Sequence, residues 1–332
     1  NLQIYTFAVM KFIKILLIFF VFNSCEKNDV KDIEIEVFRF DKEFALLDSN
    51  NLESKLADWD QKLDSFHIFY FDKYLPINIK NNTKYKKDLS LFLMHPDVIS
   101  LSSDISNKFI DFNKSLLPEL ETVFGRMNYY LPSVGIPKSA ITVNSFQRYG
   151  MATYGDTLII GLDMYLGKEN KHYNSYHHMN FMKQEKFLIV DALENWLNTY
   201  YHDSHNHHTF LDELIFKGKM VYLLHKLIPD YNLNDILKYS TEEMNGCEVS
   251  ESIIWEEIIK QDYLYSTDFQ EFHSYFNYSP FTVGFDKSPG RLGYWVGFQI
   301  INQYMNNEDV SLQELMKNTN SQEILLKSKY KP

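Results

Sequence analysis

The sequence is poor in cysteine, glycine and proline. Its 332 residues include only two cysteines, Cys25 and Cys247, together with 12 glycines and 9 prolines. Two cysteines exclude both a disulfide-rich scaffold and a cysteine-rich zinc module. The low glycine and proline content excludes a collagen-like chain and disfavours linker-rich or propeller-like architectures.

Positive charge is also scarce. Lysine and arginine total 33 against 44 aspartates and glutamates, which gives a net charge of −11, and the basic residues form no extended run. Because nucleic acids are bound through clustered cations that contact phosphates, we expect no nucleic-acid partner.

Several common catalytic motifs are absent. The chain has no G-x-S-x-G elbow, no glycine-rich phosphate loop, no H-E-x-x-H and no C-x-x-C. A serine hydrolase of the elbow type, a nucleotide enzyme and a standard zinc peptidase therefore lack support. We predict no catalytic residues, no bound metal and no cofactor, and we favour a non-enzymatic protein over an enzyme.

The chain does carry enough apolar area for a large core. Hydrophobic residues make up 45% of the chain and aromatic residues 16%, against 23% charged residues. This is the composition of a globular protein. Helical spacing dominates residues 41–135 and is clearest over Asp104–Phe124, which Pro118 should kink or split.

The remaining periodicities complete the fold-class prediction. Alternation predicts a strand over Ile33–Val37, and residues 139–166 are rich in short strands with a turn at Tyr154–Thr157. Further helices are predicted over Gln184–Tyr200, Phe210–Leu227, Thr241–Lys260, Pro289–Tyr304 and from Ser321 onward. We expect an α+β fold, mainly helical with a small sheet, in one domain over 33–332 whose N-terminal part, about 33–135, is mostly helical.

The N-terminal residues 1–24 read as a signal peptide, with Met10 as the expected true start. Two lysines precede the unbroken apolar run Ile15–Phe22, which is too short to cross a membrane. Cys25 follows a small residue directly after this run, as in a bacterial lipobox, although Phe22 stands where leucine is usual. We predict that Cys25 is acylated and that residues 25–32 form a lipidated tether; a cleaved signal with a chance cysteine is the alternative.

Such a chain would be anchored to a membrane without spanning it. Removal of residues 1–24 would also remove two lysines, so the mature protein would be still more acidic. Acidic surfaces are repelled by anionic lipid headgroups. The acyl chains, rather than a basic patch, would then hold the protein to the membrane.

The helix predicted over Gln184–Tyr200 carries polar residues on one face. Asp191 and Asn195 are four residues apart and share that face, where local hydrogen bonds could satisfy both. The order of elements, however, resembles zinc peptidases that place two histidines on one helix and a glutamate on the next.

The corresponding positions here hold the wrong residues for zinc. The histidine positions read Asp191 and Asn195, the general-base position reads Ala192, and the third-ligand position reads Lys217. A cation repels Zn²⁺ and alanine cannot accept a proton from water. We therefore predict a degenerate zincin-like core without metal, in which Lys217 pairs with Asp191.

Two other segments attract attention. Four histidines and an aspartate fall within His202–His208, which could bind a metal but more simply forms a solvated loop. Pro289–Gly297 places Gly290, Gly293 and Gly297 on one helix face, where another backbone could approach closely. Arg291 lies off that face and is predicted to pair with Glu251 or Glu256. This segment is interpreted either as tight helix packing or as a partner surface.

Taken together, these segments resemble the GldB gliding-motility lipoproteins of the Bacteroidetes. The resemblance covers essentially the whole mature chain, so that 33–332 would be a single GldB-like domain. Its carriers are Asn23-Ser24-Cys25, Tyr154–Gly167, Asp191–Trp196, Gly218–Tyr222, Pro289–Gly293 and Ser328–Pro332.

The resemblance implies a lipid-anchored protein of the cell envelope that is needed for gliding, a motility coupled to type IX secretion. It implies partners among the gliding and secretion proteins, a palmitate-bearing, periplasm-facing lipoprotein, and a distant relationship to predicted zinc peptidases that have lost their activity. Only Cys25 acquires a defined role from it.

Three functions remain in competition at this stage. The first is a non-enzymatic envelope lipoprotein acting through protein contacts. The second is a metal-dependent hydrolase that uses Asp191, Glu194 or the histidines of 202–208. The third is a peptide- or glycan-binding module whose cleft could be lined by Trp196, Tyr200 and Tyr201, although packing of these residues in the core is the favoured interpretation.

Overall fold

The computed structural model describes residues 33–48, 50–64, 66–75, 84–173, 177–205, 207–285 and 288–332. The predicted signal peptide, Cys25 and the tether lie outside these residues. The predicted α+β class, mainly helical with a small sheet, is confirmed.

Helices make up most of the N-terminal part. A short strand comes first, β1 (Glu36–Phe38), and six helices follow it: α1 (Phe40–Ala45), α2 (Leu52–Lys62), α3 (Phe66–Tyr74), α4 (Tyr85–Leu93), α5 (Pro96–Lys108) and α6 (Phe112–Tyr130). Their buried aromatic rings pack closely, with the ring centroid of Phe40 4.6 Å from that of Trp59 and 4.8 Å from that of Tyr70.

One four-stranded sheet follows. Its other strands are β2 (Ser139–Val143), β3 (Met151–Tyr154) and β4 (Thr157–Gly161), and the strand order is β1-β2-β4-β3. The pairs β1–β2 and β2–β4 are parallel, whereas β3 runs antiparallel to β4 across the predicted turn, where Gly155 has a φ of 60°. A left-handed backbone at this turn suits glycine.

Both faces of the sheet are covered. Ile141, Val143 and Ile159 pack with the N-terminal aromatic cluster, whereas Ala140, Leu158 and Ile160 belong to the larger core on the other face. Alternate side chains of a strand point to opposite faces, so a sheet buried on both sides needs apolar residues at consecutive positions. The run Leu158–Ile160 meets that requirement.

Nine helices form the C-terminal part. They are α7 (Leu188–Tyr201), α8 (Phe210–Leu227), α9 (Leu233–Leu237), α10 (Thr241–Val249), α11 (Glu251–Lys260), α12 (Phe269–Phe272), α13 (Leu292–Asn307), α14 (Leu312–Lys317) and α15 (Ser321–Ser328). This number refers to the residues that the structure describes. Short 3₁₀ turns join several of them, including Glu185–Phe187 before α7 and His202–Ser204 after it.

Helices α8 and α13 cross at two glycines. A Cβ atom on Gly218 would lie 2.2 Å from the carbonyl carbon of Gly297, and one on Gly297 would lie 2.1 Å from the carbonyl oxygen of Leu214. The predicted close backbone approach is therefore correct for Gly297. Gly290 also has a close backbone neighbour, Ser279, although Gly290 lies before the helix, whereas Gly293 lies against the ring of Phe276.

Some predicted helix boundaries were wrong. The segment Asp104–Phe124 breaks between α5 and α6 rather than at Pro118, which lies inside α6. Arg39 stabilises the break, because its guanidinium donates to the Phe109 carbonyl at 2.8 Å. The predicted helix Thr241–Lys260 is two helices joined at Ser250, and the N-cap of the first is Ser240, whose side chain accepts from the Glu243 N–H. Helix α13 begins at Leu292, after the predicted start at Pro289.

Candidate functional site

A cavity of about 420 Å³ lies at the β3 edge of the sheet, beside α7 and α8. We call it the cleft. Helix α7 supplies Asp191, Glu194, Asn195 and Asn198 to its lining. These residues follow the spacing i, i+3, i+4 and i+7, which places them on one helix face, while the apolar residues of α7 pack into the core. The amphipathic pattern of α7 thus orients its carboxylates toward the cleft.

Asp191 has two partners in the cleft. Lys238 Nζ forms an ion pair with Asp191 Oδ1, and the Tyr165 hydroxyl donates to Asp191 Oδ2 at 2.9 Å. The Lys238 side chain is 6% exposed and that of Asp191 20% exposed. Burial opposes the charge of Lys238, but the combined attraction of Asp191, Tyr278 and Glu194 outweighs burial, so the pKa of Lys238 is raised. Lys238 therefore stays charged and neutralises Asp191.

Glu194 is paired in the same way. Arg291 Nη2 lies 3.1 Å from Glu194 Oε1, and Arg291 Nη1 donates to the Tyr278 hydroxyl at 2.6 Å. The guanidinium carbon lies 3.7 Å from the ring centroid of Tyr294, a cation–π contact. Burial alone would raise the pKa of Glu194, but Arg291, Lys238 and Lys217 together lower it. Glu194 is accordingly an ionised, paired carboxylate.

Both pairing cations have unusual backbone conformations. Lys238 has a φ of 60° and Arg291 a φ of 59°, in the left-handed region that favours glycine. Lys238 ends α9, and Arg291 is the N-cap of α13. A left-handed non-glycine residue costs of order 1 kcal/mol and concentrates at functional sites. Two such residues facing one cavity mark the cleft as the candidate site.

The pairing predicted from the sequence was wrong for Asp191. Within the described chain, Lys217 forms no ion pair with Asp191, although both line the cleft. The ammonium of Lys217 lies 5.0 Å from the Phe216 ring centroid and 5.7 Å from that of Tyr294. Lys217 is held over these rings, whereas Lys238 reaches Asp191 from the end of α9.

The pairing predicted for Arg291 was wrong as well. Its partner is Glu194 of α7, whereas Glu251 accepts a hydrogen bond from the Tyr330 hydroxyl at 2.9 Å. The left-handed turn before α13 places the guanidinium of Arg291 in the cleft rather than against α10 or α11. Arg291 is only 3% exposed, and its Nε lacks a hydrogen-bond partner among the described atoms.

The other predicted site residues have ordinary surroundings. Asn195 Oδ1 accepts from the Thr153 hydroxyl at 3.1 Å, which ties α7 to β3. Ala192 is fully buried in the core. Trp196 and Tyr201 are buried in the core, as favoured, and Tyr200 is exposed. Among the described residues, the tyrosines that line the cleft are Tyr165, Tyr278 and Tyr294. Trp196 is five residues beyond Asp191, on another face of α7, and donates to the Gly135 carbonyl.

His202, His205 and His207 pack around Phe216, which is not part of the cleft lining. His207 Nδ1 lies 2.5 Å from Glu213 Oε1, and its ring stacks on that of His202 with centroids 4.5 Å apart. His205 lies 3.3 Å from the buried amine of Lys219, and burial lowers the pKa of His205 to about 4. In the part of the chain that the structure describes, no group of three or more His, Cys, Asp or Glu side chains could hold a metal ion.

Sequence reasoning missed Lys238 and Tyr278. No motif surrounds either residue, and Lys238 is 47 residues from its partner Asp191. The sequence also does not predict the left-handed backbone conformation of Lys238, because lysine is not typical of that conformation. Only the tertiary fold, in which α9 packs against α8 and against the 3₁₀ turn before α7, brings this pair together.

The chain matches a family model described as gliding motility protein GldB over residues 23–332. It belongs to the GldB family. The comparisons with curated proteins and with solved structures found no match. Members of this family are gliding-motility lipoproteins. Membership indicates that this GldB protein is a lipoprotein of the cell envelope. None of the described helices has the length and apolarity needed to cross a membrane.

Proposed function

We propose that this GldB-family protein is held to an envelope membrane by acylated Cys25, faces the periplasm, and supports gliding and type IX secretion through contacts with other proteins. Membership of the family supports the general role. The position of Cys25 directly after an apolar run supports the anchor, with palmitate as one of its acyl groups.

We further infer that the cleft binds rather than catalyses. The observation that carries this inference is the neutralisation of both carboxylates, Asp191 by Lys238 and Glu194 by Arg291. A carboxylate that is to act as a general base or a metal ligand needs a free lone pair directed at water or at the ion. In this cleft the ammonium of Lys238 and the guanidinium of Arg291 occupy the positions beside the carboxylates that water or a metal ion would need.

The donor set of the cleft does not fit a zinc ion. Structural and catalytic zinc sites use thiolates, imidazoles and carboxylates. The positions expected from the resemblance to zinc peptidases hold one paired carboxylate, one amide bonded to Thr153, and the ammonium of Lys217. We propose that the body descends from a zincin-like scaffold whose metal site has been lost.

Replacement of the chromosomal gene tests the anchor and the role together. Cys25→Ala should move the protein from the membrane pellet to the soluble fraction, abolish labelling by a palmitate analogue and impair gliding. Cys247→Ala is the matched control, because Cys247 is the other cysteine of the sequence and is buried, 2% exposed, inside the fold. Unchanged membrane retention of Cys25→Ala would refute the anchor, and normal gliding would refute the role.

A further inference from the structure

The charges that face the cleft are unbalanced. Among the residues that the structure describes, its lining has four cationic side chains, Lys183, Lys217, Lys238 and Arg291, and two acidic ones, Asp191 and Glu194. The chain as a whole has the opposite balance, with a net charge of −11. Since Lys238 and Arg291 neutralise the two acids, the positive excess belongs to Lys183 and Lys217.

Lys183 is buried, and the described part of the chain offers its ammonium only weak partners. It is 8% exposed, and its ammonium donates to the thioether sulfur of Met164 at 2.8 Å, with the Tyr173 ring centroid 5.6 Å away. A thioether is a weak acceptor, and an ammonium has three donors to satisfy. Asp163 and Asp191 attract Lys183 from a longer distance, yet burial still lowers its pKa. Because a buried charge is costly unless it is paired, an anionic group that reached the ammonium of Lys183 would stabilise it.

Lys217 offers the second amine. Its ammonium contacts the faces of Phe216 and Tyr294 and, among the described residues, no carboxylate within ion-pair distance. Cation–π contacts orient a lysine without neutralising it. An anion in the cleft could therefore bind either amine without breaking either existing ion pair.

The rest of the lining is apolar and adaptable. Five of the 11 methionines of the chain line this one cavity: Met151, Met164, Met179, Met182 and Met220. Unbranched, polarizable methionine side chains accommodate apolar groups of varied shape. A cavity of about 420 Å³ has the size of a small-ligand site, with a few polar groups fixing orientation.

We propose that the cleft binds a carboxylate that carries an apolar group, such as the C-terminal residue of a peptide or a free aliphatic acid. The carboxylate binds Lys217, the positive charge of Lys183 in the same lining adds to its attraction, and the apolar group contacts the methionines. A phosphate monoester is the competing anion, because its two negative charges would also match two amines, and the titration below distinguishes the two groups. This inference rests on the proposal that the cleft binds without catalysis.

Calorimetric titration of the detergent-solubilised full-length protein tests the proposal. The probes are hexanoate, the peptide acetyl-Ala-Ala-Leu with a free C-terminus, and the same peptide with an amidated C-terminus. Binding of either acid with no binding of the amide supports the proposal. Binding of the peptide alone identifies a polypeptide terminus as the source, and binding of hexanoate alone identifies a free acid.

Two lysines of α8 provide a matched pair of variants. Lys217→Met should weaken binding by about tenfold or more, as expected for the loss of one charged hydrogen bond. Lys226→Met should leave affinity unchanged, because Lys226 also lies over a ring, that of Tyr222 at 5.1 Å, but is exposed and outside the cleft. The comparison of acid with amide needs no variant and would stand even if a substitution prevented folding.

Three results would overturn the assignment: no binding of either acid at millimolar concentration, equal binding of acid and amide, or tighter binding of phenyl phosphate than of hexanoate. These failures leave the anchoring and gliding roles untouched. Cleavage of the peptide during the titration would instead contradict the non-catalytic part of the proposed function. The carboxylate-binding proposal and the proposed function can therefore be refuted independently of each other.

Discussion

Lys238 and Asp191 form an ion pair at the cleft although 47 residues separate them in the sequence. Lys238 reaches Asp191 from a left-handed backbone position at the end of α9, and Tyr165 donates to the other carboxylate oxygen. A second ion pair joins Arg291 to Glu194, and here the tyrosine, Tyr278, accepts from the guanidinium of Arg291 instead of donating to the carboxylate. Paired charges, rather than free catalytic groups, are the main feature of this site.

Removal of one partner from the pair should be costly. Lys238→Met leaves Asp191 partly buried beside Tyr165 without its counter-ion, and we expect the free energy of unfolding to fall by about 3 kcal/mol. Adding Asp191→Leu should recover much of this loss, because the uncompensated charge is then gone. Urea denaturation of both variants measures the difference. A Lys238→Met protein as stable as the wild type would show that the pair contributes nothing.

Lys219 should make stability depend on pH. It is fully buried, and burial lowers its pKa from 10.5 to about 7. Because the folded-state pKa lies below the unfolded value, the unfolded chain binds more protons between these pH values and stability rises with pH by up to about 1.4 kcal/mol per unit. His205, with its pKa lowered to about 4, stays neutral throughout this window.

The variant Lys219→Met removes that titration. It should be more stable than the wild type near pH 6, and its free energy of unfolding should be flatter between pH 7 and 9. Denaturation at several pH values measures both effects, with exposed Lys226→Met as the control that keeps the wild-type slope. An unchanged slope in Lys219→Met would assign the pH dependence to other groups.

The glycine crossing of α8 and α13 should not tolerate a methyl group. Gly218→Ala forces a Cβ against the Gly297 backbone, and we expect a loss of about 3 kcal/mol, the upper end for overpacking. Gly246→Ala is the control, because Gly246 lies in α10 with no atom within 4 Å of the added Cβ. That change should stabilise the protein by up to about 1 kcal/mol through helix propensity. Equal effects of the two substitutions on the urea midpoint would refute the packing account.

Much of the fold follows from local patterns. The helix predicted over Phe210–Leu227 has exactly these bounds, because Thr209 forms a capping box with Asp212 at one end and Pro229 follows the other. The turn at Tyr154–Thr157 joins β3 and β4 for a similar local reason. The break between α5 and α6 escaped prediction because its stabilising group, Arg39, is distant in the sequence.

The sequence predicted some residues of the site but not how they pair. Periodicity identified the face of α7 that carries Asp191 and Asn195, and the segment around Arg291 stood out for its glycines. The partners were assigned wrongly because an ion pair depends on three-dimensional packing and on backbone conformations such as those of Lys238 and Arg291. Lys183, which is buried against Met164, carries no sequence signal at all.

Zinc content tests the central claim most directly. The untagged full-length protein is incubated with zinc chloride, dialysed and analysed by mass spectrometry, alongside Asp191→Ala and Asp203→Ala, a control at a fully exposed acid outside the cleft. If the cleft carboxylates are neutralised by Lys238 and Arg291, Asp191→Ala retains no less zinc than the wild type and no form cleaves a peptide. One tightly bound zinc per chain that is lost in Asp191→Ala but kept in Asp203→Ala, together with peptide cleavage, would contradict the account.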